Sequence, residues 1–398
     1  MKIFTFLLLG SVLGSASSLS LKEILNAANH NNPLANSIAQ QRLFLHAKNL
    51  SETASDPIEL HASSSYARPM GISSVLEYSM GISQNIKLSE PQALDKTMTQ
   101  LNNEASLIDE SKKRIAFSNG IKNLYHQHCL DRRNYESVQK SYQDFVTLFE
   151  KKKKAYEYQE VSKMELMQLE IEAQRLQSQL EAIQREQQLS RSQILGLSRI
   201  PLSSKKMLYC QDGYPIKNTI HLPSNAFSLS TEAYNKRQES SKTAFKRASK
   251  HFDSLTLSVE YSNEYEMDKY RVGVSIPLHF GSTKSQEARV AALHQNTSLG
   301  FAYEEEMLQK KTLSSTLRSQ LKSDALRIQS LKDRLQTYKK ELLPLLKRSY
   351  LLGESTVIEY LLNRQNYYQE KQNLFARKKA YYHTLFSLYT LHEIKDNK

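Results

Sequence analysis

The feature that most restricts this 398-residue chain is that its pattern is written twice. Met80-Gly81-Ile82-Ser83 recurs as Val272-Gly273-Val274-Ser275, 192 positions on. Tyr156, Glu160, Ser162, Met164 and Glu165 recur as Tyr350, Glu354, Thr356, Ile358 and Glu359 at a spacing of 194, and Asp56-Pro57-Ile58-Glu59-Leu60 matches Asp253-Ser254-Leu255-Thr256-Leu257 at 197. Nearly equal spacings, each about half the chain, describe two copies of one supersecondary unit with small insertions. On this reading 1–18 is a signal peptide, 19–200 the first repeat, 201–223 a linker, 224–392 the second repeat and 393–398 a tail.

Each copy reads as helix, two strands, long helix, turn, helix. The expected helices cover 21–54, 91 to about 152 and 162–197, then 224–251, 283–343 and 356–391. Glycine (11) and proline (9) are scarce and tryptophan is absent, which favours long helices over glycine-rich nucleotide-binding folds. A helix of about 60 residues rises ~90 Å, so these helices project beyond any globular body. Their apolar residues keep 3-4 spacing: Leu169, Ala173, Leu176, Leu180 and Ile183; Ile328, Leu331, Leu335, Tyr338, Leu342 and Leu345; Leu374, Tyr381, Leu385 and Leu388. That is the packing stripe of antiparallel coiled-coil neighbours, and no chemistry is assigned to it.

The strands carry more information. They are expected at about 57–66, 75–86, 254–262 and 269–278. Ile58, Leu60 and Ala62 alternate with Glu59, His61 and Ser63, and Leu76, Tyr78, Met80 and Ile82 with Glu77, Ser79, Gly81 and Ser83. The second copy sets Leu255, Leu257, Val259 and Tyr261 against Thr256, Ser258 and Glu260, then Tyr270, Val272, Val274 and Ile276 against Arg271, Gly273 and Ser275. A half-buried sheet and a lipid-facing barrel share this alternation. Tyr66, Tyr78, Tyr261, Tyr265 and Tyr270 at the hairpin ends favour the barrel, because aromatic rings settle at membrane interfaces. Four strands cannot close a barrel and open edges are not tolerated in lipid, so a membrane sheet of this kind requires several chains.

Lys2, the apolar run from Ile3 to Leu9 and the small residues Gly14-Ser15-Ala16-Ser17-Ser18 have the layout of an export signal, without a cysteine for lipidation. A net charge of +13 invites a nucleic-acid reading, but export and the even scatter of Lys and Arg among Glu and Asp count against it. Lys151 to Lys154 is the one dense run and reads as a solvated face. Cys129 and Cys210 lack a CxxC partner; one bridge between them is open, and the reading taken is two free thiols. His126 and His128 lie two apart on a helix and point to different faces, which does not suit a metal pair. No catalytic triad, phosphate loop or HExxH occurs, so neither catalytic residues nor a cofactor is expected.

Three stretches carry a resemblance: 19–33 (LSLKEILNAANHNNP), Gly273-Val274-Ser275-Ile276-Pro277-Leu278, and the run from Tyr350 through Gly353 to Leu361. In order and doubling they resemble the TolC family of outer-membrane efflux channels over essentially the whole chain after the signal. The resemblance implies a mainly α fold with a transmembrane β-barrel: a homotrimer with a 12-stranded barrel in the outer membrane of a Gram-negative bacterium, four strands per chain, continued by an α-helical periplasmic tunnel. It implies a passive conduit for small molecules or ions, working with a periplasmic adaptor (membrane fusion) protein and an inner-membrane pump of RND or ABC type. Type I protein secretion is the alternative within that class; a secreted coiled-coil structural or adhesion protein, or the adaptor itself, are rivals outside it.

The same resemblance implies site residues. The turn around Gly353, with Glu354 and Ser355, and its counterpart with Gln159 and Glu160 would dock the adaptor, although Gln159 stands where a glycine is expected. Glu359, with Tyr350 and, in the other repeat, Glu165, would form the periplasmic entrance, three copies of Glu359 repelling one another around an axis. Leu362 replaces a second acidic residue and Ser355 a basic gating partner. Glu59, His61, Ser63, Glu77, Ser79 and Arg271 would face the lumen. Pro277 suits the point where a strand is abandoned for a helix; Asn85 stands there in the first repeat, which implies a different path.

Overall fold

The computed structural model describes residues 18–394, apart from 32, 69, 72, 205, 211–212, 223–225, 251, 265–266 and 278–282. The expected signal segment before Ser18, Tyr265, Leu278, Asn32 of the Asn-Asn-Pro run, the ends of the expected 224–251 helix and 395–398 of the tail lie outside the described residues. The element order is α1 (Leu21–Asn31), α2 (Pro33–Thr53), β1 (Ile58–Ala67), β2 (Val75–Lys87), α3 (Ser89–Glu157), α4 (Lys163–Leu197), α5 (Ser228–Ala248), β3 (Ser254–Glu264), β4 (Met267–Ser275), α6 (Thr283–Thr337), a π-helical turn (Tyr338–Leu342), α7 (Leu343–Leu351) and α8 (Val357–Leu391). Helix, hairpin, long helix, turn and helix therefore occur twice in the same order. The chain divides into two compact units that cut across the repeats; α3 and α6 contribute to both.

One unit, residues 37–113 and 227–311, holds the sheet. All neighbours are antiparallel, in the order β1-β2-β3-β4, so the two hairpins are joined through β2 and β3. The matched Asp56 and Asp253 precede the first strand of each hairpin, and each takes a cation. Asp56 accepts from Asn85 Nδ2 at 2.7 Å and pairs with Lys87 at 3.2 Å, while Arg247 spans Asp95 at 2.9 Å and Asp253 at 2.5 Å. This explains the departure at Asn85. There the strand runs on to Lys87, with Asn85 still opposite Thr256, whereas β4 stops at Ser275, two residues before Pro277.

The other unit, residues 18–36, 114–226 and 312–394 of the described chain, is helical with three apolar clusters. Ser20 and Glu23 cap α1 reciprocally, the Glu23 carboxylate accepting from Ser20 N–H at 2.7 Å, and α1 buries Ile24 and Ala28. These join Ile121, Tyr125, Ile194, Leu195 and Leu208 in one cluster. A second gathers Ile328 and Leu331 of α6 with Leu374, Tyr381, Leu385 and Leu388 of α8, as their 3-4 spacing predicts. A third pairs Phe145 of α3 with Leu169 and Leu176 of α4. Truncating such a leucine to alanine costs about 2–5 kcal/mol.

Two expectations are corrected here. The helix expected over 283–343 gives way at Thr337 to a π turn, closed by a bond from Leu343 N–H to Tyr338 C=O, and resumes as α7 to Leu351. Pro344 is the cause, because it offers no N–H to the preceding turn. Leu345 just beyond is exposed rather than part of the buried stripe.

The second correction concerns the cysteines: Cys129 and Cys210 are disulfide-bonded, not free, with Cα atoms 5.4 Å apart. The expected linker is accordingly fastened. Leu19 N–H donates to Met207 C=O at 2.8 Å and Tyr209 N–H to Leu19 C=O at 2.9 Å, forming a short parallel bridge. Arg132 donates to Leu208 C=O at 3.4 Å and Tyr125 O–H to Tyr209 C=O. Further along, Tyr382 O–H donates to Tyr214 C=O at 2.9 Å, and Tyr381 Oη both accepts from Lys217 N–H and donates to its C=O.

Candidate functional site

The strand register sorts side chains by face. Leu60, Ile82, Val259 and Val272 stand opposite one another across all four strands, and so form one apolar row. The next row is His61, Gly81, Glu260 and Arg271, wholly on the other face. Glu59, Ser63, Glu77 and Ser79 share that polar face by parity, with Ser63 and Ser79 hydroxyls 2.9 Å apart. All the residues expected to line a lumen are thus brought to one surface. Tyr66, Tyr78, Tyr261 and Tyr270 lie on the opposite face towards the hairpin ends, with Tyr261 5.3 Å from Tyr270 and 6.2 Å from Tyr78 between ring centroids.

In the two central strands exposure is the reverse of a water-soluble sheet, while β1 is exposed on both faces. In β2, Leu76, Tyr78, Met80 and Ile82 are exposed, whereas Glu77, Ser79 and Ser83 are half-buried and Gly81 is buried. In β3, Leu257 and Val259 are exposed while Ser258 and Glu260 are half-buried and Ser262 is buried. Leu60 is 75% and Val272 82% exposed. The two repeated glycines belong to the polar face for a steric reason. A Cβ at Gly81 would run into the His61 imidazole and lie 3.0 Å from Val259 C=O, and one at Gly273 would lie 2.7 Å from Ser258 Oγ. On this face Arg271 lies 3.3 Å from Glu264 and 3.8 Å from Glu260, and Lys269 pairs with Glu264.

The two helix turns are built alike at a spacing of 194. Gln159 N–H donates to Tyr156 C=O and Glu160 N–H to Ala155 C=O; Gly353 N–H donates to Tyr350 C=O and Glu354 N–H to Ser349 C=O. Both central residues are left-handed, Gln159 at φ 62° and Gly353 at φ 76°. Gln159 therefore does not disrupt the first turn; it adopts the glycine conformation at a steric cost. Each following helix is capped by a hydroxyl, Ser162 Oγ accepting from Glu165 N–H and Thr356 Oγ1 from Glu359 N–H, both at 3.1 Å. Glu359 completes a capping box by accepting from Thr356 N–H at 3.0 Å, so its carboxylate already holds the start of α8.

Glu165 is instead turned to Lys152 at 3.4 Å, and the Lys152 ammonium also stands 5.9 Å over the Tyr350 ring, which stacks on Tyr360. Glu165 and Tyr350 are thereby brought together through Lys152. Beside them Arg364 pairs with Asp144, lies 5.6 Å over Tyr360, and Tyr368 O–H donates to the same carboxylate at 3.3 Å. Asp144, Lys152, Arg364 and Tyr368 escape sequence reasoning because partners from opposite repeats share no local spacing. The one hint was Lys152 within the lysine run.

His126 packs among Tyr214, Tyr382 and Phe386, and His128 Nδ1 lies 2.9 Å from Ser190 Oγ. Burial, with Arg132 and Arg191 nearby, pushes the His128 pKa down to about 4. Among the described residues no helix is long and apolar enough to cross a membrane, and no cluster of three His, Cys, Asp or Glu side chains could hold a metal.

No family model and no curated protein matches the chain. Solved structures do. The outer membrane protein VceC of Vibrio cholerae superposes with TM-score 0.74 at 14% identity, covering 94% of this chain and 96% of that one. The outer membrane channel CmeC of Campylobacter jejuni gives 0.72 at 16%, covering 95% and 87%, and the open-state outer membrane channel MtrE of Neisseria gonorrhoeae 0.73 at 13%, covering 94% and 89%. The chain has the fold of TolC-type outer-membrane channels.

Proposed function

We propose, from this channel fold, that the chain is the outer-membrane component of a tripartite export system: a passive, non-enzymatic conduit from the periplasm to the exterior of a Gram-negative bacterium. The observation that carries the reading is the exposed apolar row Leu60–Ile82–Val259–Val272, on the face opposite a polar row whose central members are buried at Gly81 and half-buried at Glu260. In water that arrangement exposes a large patch to no benefit; in lipid it places each face in its own solvent. β1 and β4 are paired on one side only among the described residues, so chains joined edge to edge would close the sheet. The helices point the same way: Met164, Ile171 and Leu189 of α4 and Leu326 of α6 are exposed apolar side chains that a second copy would cover.

In this reading Glu59, His61, Glu77, Ser79 and Arg271 line the barrel. The two turns at Gln159-Glu160 and Gly353-Glu354-Ser355 meet a periplasmic adaptor, which links the channel to an RND or ABC pump. Glu359, Tyr350 and Glu165 stand at the entrance, and the Arg364–Asp144 pair ties the start of α8 to α3 beside it. Small molecules or ions are the cargo. A secreted coiled-coil protein would account for the helices but leaves the exposed apolar sheet face without a purpose. The test is to isolate outer membranes and compare unheated with boiled samples. A heat-modifiable trimer, with cysteines at Gly71 and Glu264 labelled from outside intact cells, is the expected result; a water-soluble monomer, or labelling only after lysis, overturns the reading.

A further inference from the structure

The Cys129–Cys210 bridge sits where the strap between the two repeats is laid down. Before it, residues 207–209 are held by α1, α3 and Leu19; after it, Tyr214 and Lys217 are held by Tyr382 and Tyr381 of α8. The bridge thus fastens the strap at the step from the first repeat's cluster to the second's. Its partners are 81 residues apart and enclose α3 from Cys129 onward, the turn at Gln159 and all of α4, which returns the chain to the level of Cys129.

Access limits when the bond can form. Cys129 is 7% exposed, in a cluster with Leu19, Tyr125, Ile194, Leu195 and Leu208. Thiol–disulfide exchange needs an attacking sulfur to approach along the sulfur–sulfur axis, and once Leu208 is seated no other protein can reach Cys129. Cys210 is half-buried, on a segment outside any helix or strand, and is the more accessible of the two sulfurs. We propose that the bond is installed by a partner protein bearing a reactive disulfide, which engages Cys210 of the incompletely folded chain, and that the bond then acts as the clasp holding the repeats together for assembly.

The chemistry balances in two exchanges. The Cys210 thiolate attacks the partner's disulfide, forming a mixed disulfide and expelling the partner's second sulfur as a thiolate. The Cys129 thiolate, carried in by α3, then attacks Cys210 Sγ, forming the intramolecular bond and releasing the partner as a dithiol. Two electrons and, after solvent exchange, two protons pass from this chain to the partner, which is the oxidant. Installation of the bond does not depend on the channel reading, and the thiol count and the mixed-disulfide adduct test it alone; the trimer yields rest on that reading.

The test expresses the full chain in a Gram-negative host with and without its periplasmic dithiol oxidase, quenches with acid, and counts free thiols with a mass-adding maleimide. The expected result is no free thiol with the oxidase, and two free thiols with about tenfold less trimer without it, restored by added cystine. Cys129→Ser should accumulate a reductant-sensitive adduct between Cys210 and the oxidase, a readout that survives misfolding, whereas Cys210→Ser should give none. Two free thiols in wild-type trimer, equal oxidation without the oxidase, or an adduct through Cys129 instead of Cys210 would each overturn the proposal. So would a Cys129→Ser/Cys210→Ser double variant that forms trimer in wild-type yield.

Discussion

Leu60 and Glu59 are neighbours in β1 on opposite faces of the sheet, and replacing each in turn by arginine separates lipid from water as the outer solvent. Leu60 is 75% exposed and belongs to the row that crosses all four strands. If water bathes that face, Leu60→Arg puts a charge where charges are welcome, and the change stays within about 0.5 kcal/mol. If lipid bathes it, arginine near the bilayer midplane costs about 2–4 kcal/mol per chain, or about 6–12 kcal/mol for three copies. Each 1.4 kcal/mol is about tenfold in an equilibrium, so the assembled fraction should collapse rather than drift. Glu59→Arg reverses a charge on the polar face and should leave assembly within about 0.5 kcal/mol per chain. The assay is heat-modifiable trimer recovered from outer membranes, backed by urea titration of protein folded into phosphatidylcholine vesicles. Equal yields and equal midpoints for the two variants would refute the assignment of faces.

Three other expectations follow from individual sites. Gln159→Gly relieves a left-handed glutamine and should raise stability by about 1 kcal/mol, while Gly353→Gln should lower it by about 1–2 kcal/mol, read as opposite shifts in thermal midpoint. His128 is held neutral with its folded pKa lowered to about 4 from 6.5, so the fold is fully stabilised above about pH 6.5 and loses up to about 3 kcal/mol as pH falls towards 4. Burial raises the pKa of nearby Asp131, which acts in the opposite sense, so the check is that His128→Gln flattens the acid limb relative to wild type, measured by denaturation at stepped pH. Glu359→Gln removes charge but keeps a capping-box residue, so the melting midpoint should hold while cation preference in planar bilayers falls; an unchanged preference removes Glu359 from the entrance.

What the sequence made legible is local or periodic. The starts of α4 and α8 match the expected bounds, and the serine or threonine followed three residues later by glutamate, at Ser20, Ser162 and Thr356, is a further local signal the expected bounds did not use, legible because the cap bonds span three residues. The faces of the strands follow from alternation, since a period of two fixes every side chain once one is placed. What was missed depends on partners distant in sequence. Nothing near Cys129 or Cys210 announces the other, because the α3–α4 hairpin rather than any spacing brings them together. Arg364 meets Asp144 across 220 positions, and the left-handed turn at Gln159 is dictated by the bonds from Gln159 N–H to Tyr156 and from Glu160 N–H to Ala155 rather than by the preference of glutamine. The π turn was in principle visible as Pro344 inside a helical pattern.

If the chain forms the proposed channel, its polar face bears on the number of copies. Closing a sheet into a barrel fixes its width by the strand count, and eight strands leave an interior that side chains fill. With four strands per chain, two copies would give that filled barrel. The polar face carries Glu59, His61, Glu260 and Arg271 at mid-sheet, long side chains that would meet across such a narrow bore and bury charge. Glycine at Gly81 and Gly273 does not lower this crowding across the bore, because the space above each is already taken by His61 or Ser258 of the neighbouring strand. Twelve strands are the smallest multiple of four that sets these residues around water instead of against one another. The same side chains that make a dimeric barrel costly are therefore those that make a trimeric one a polar channel.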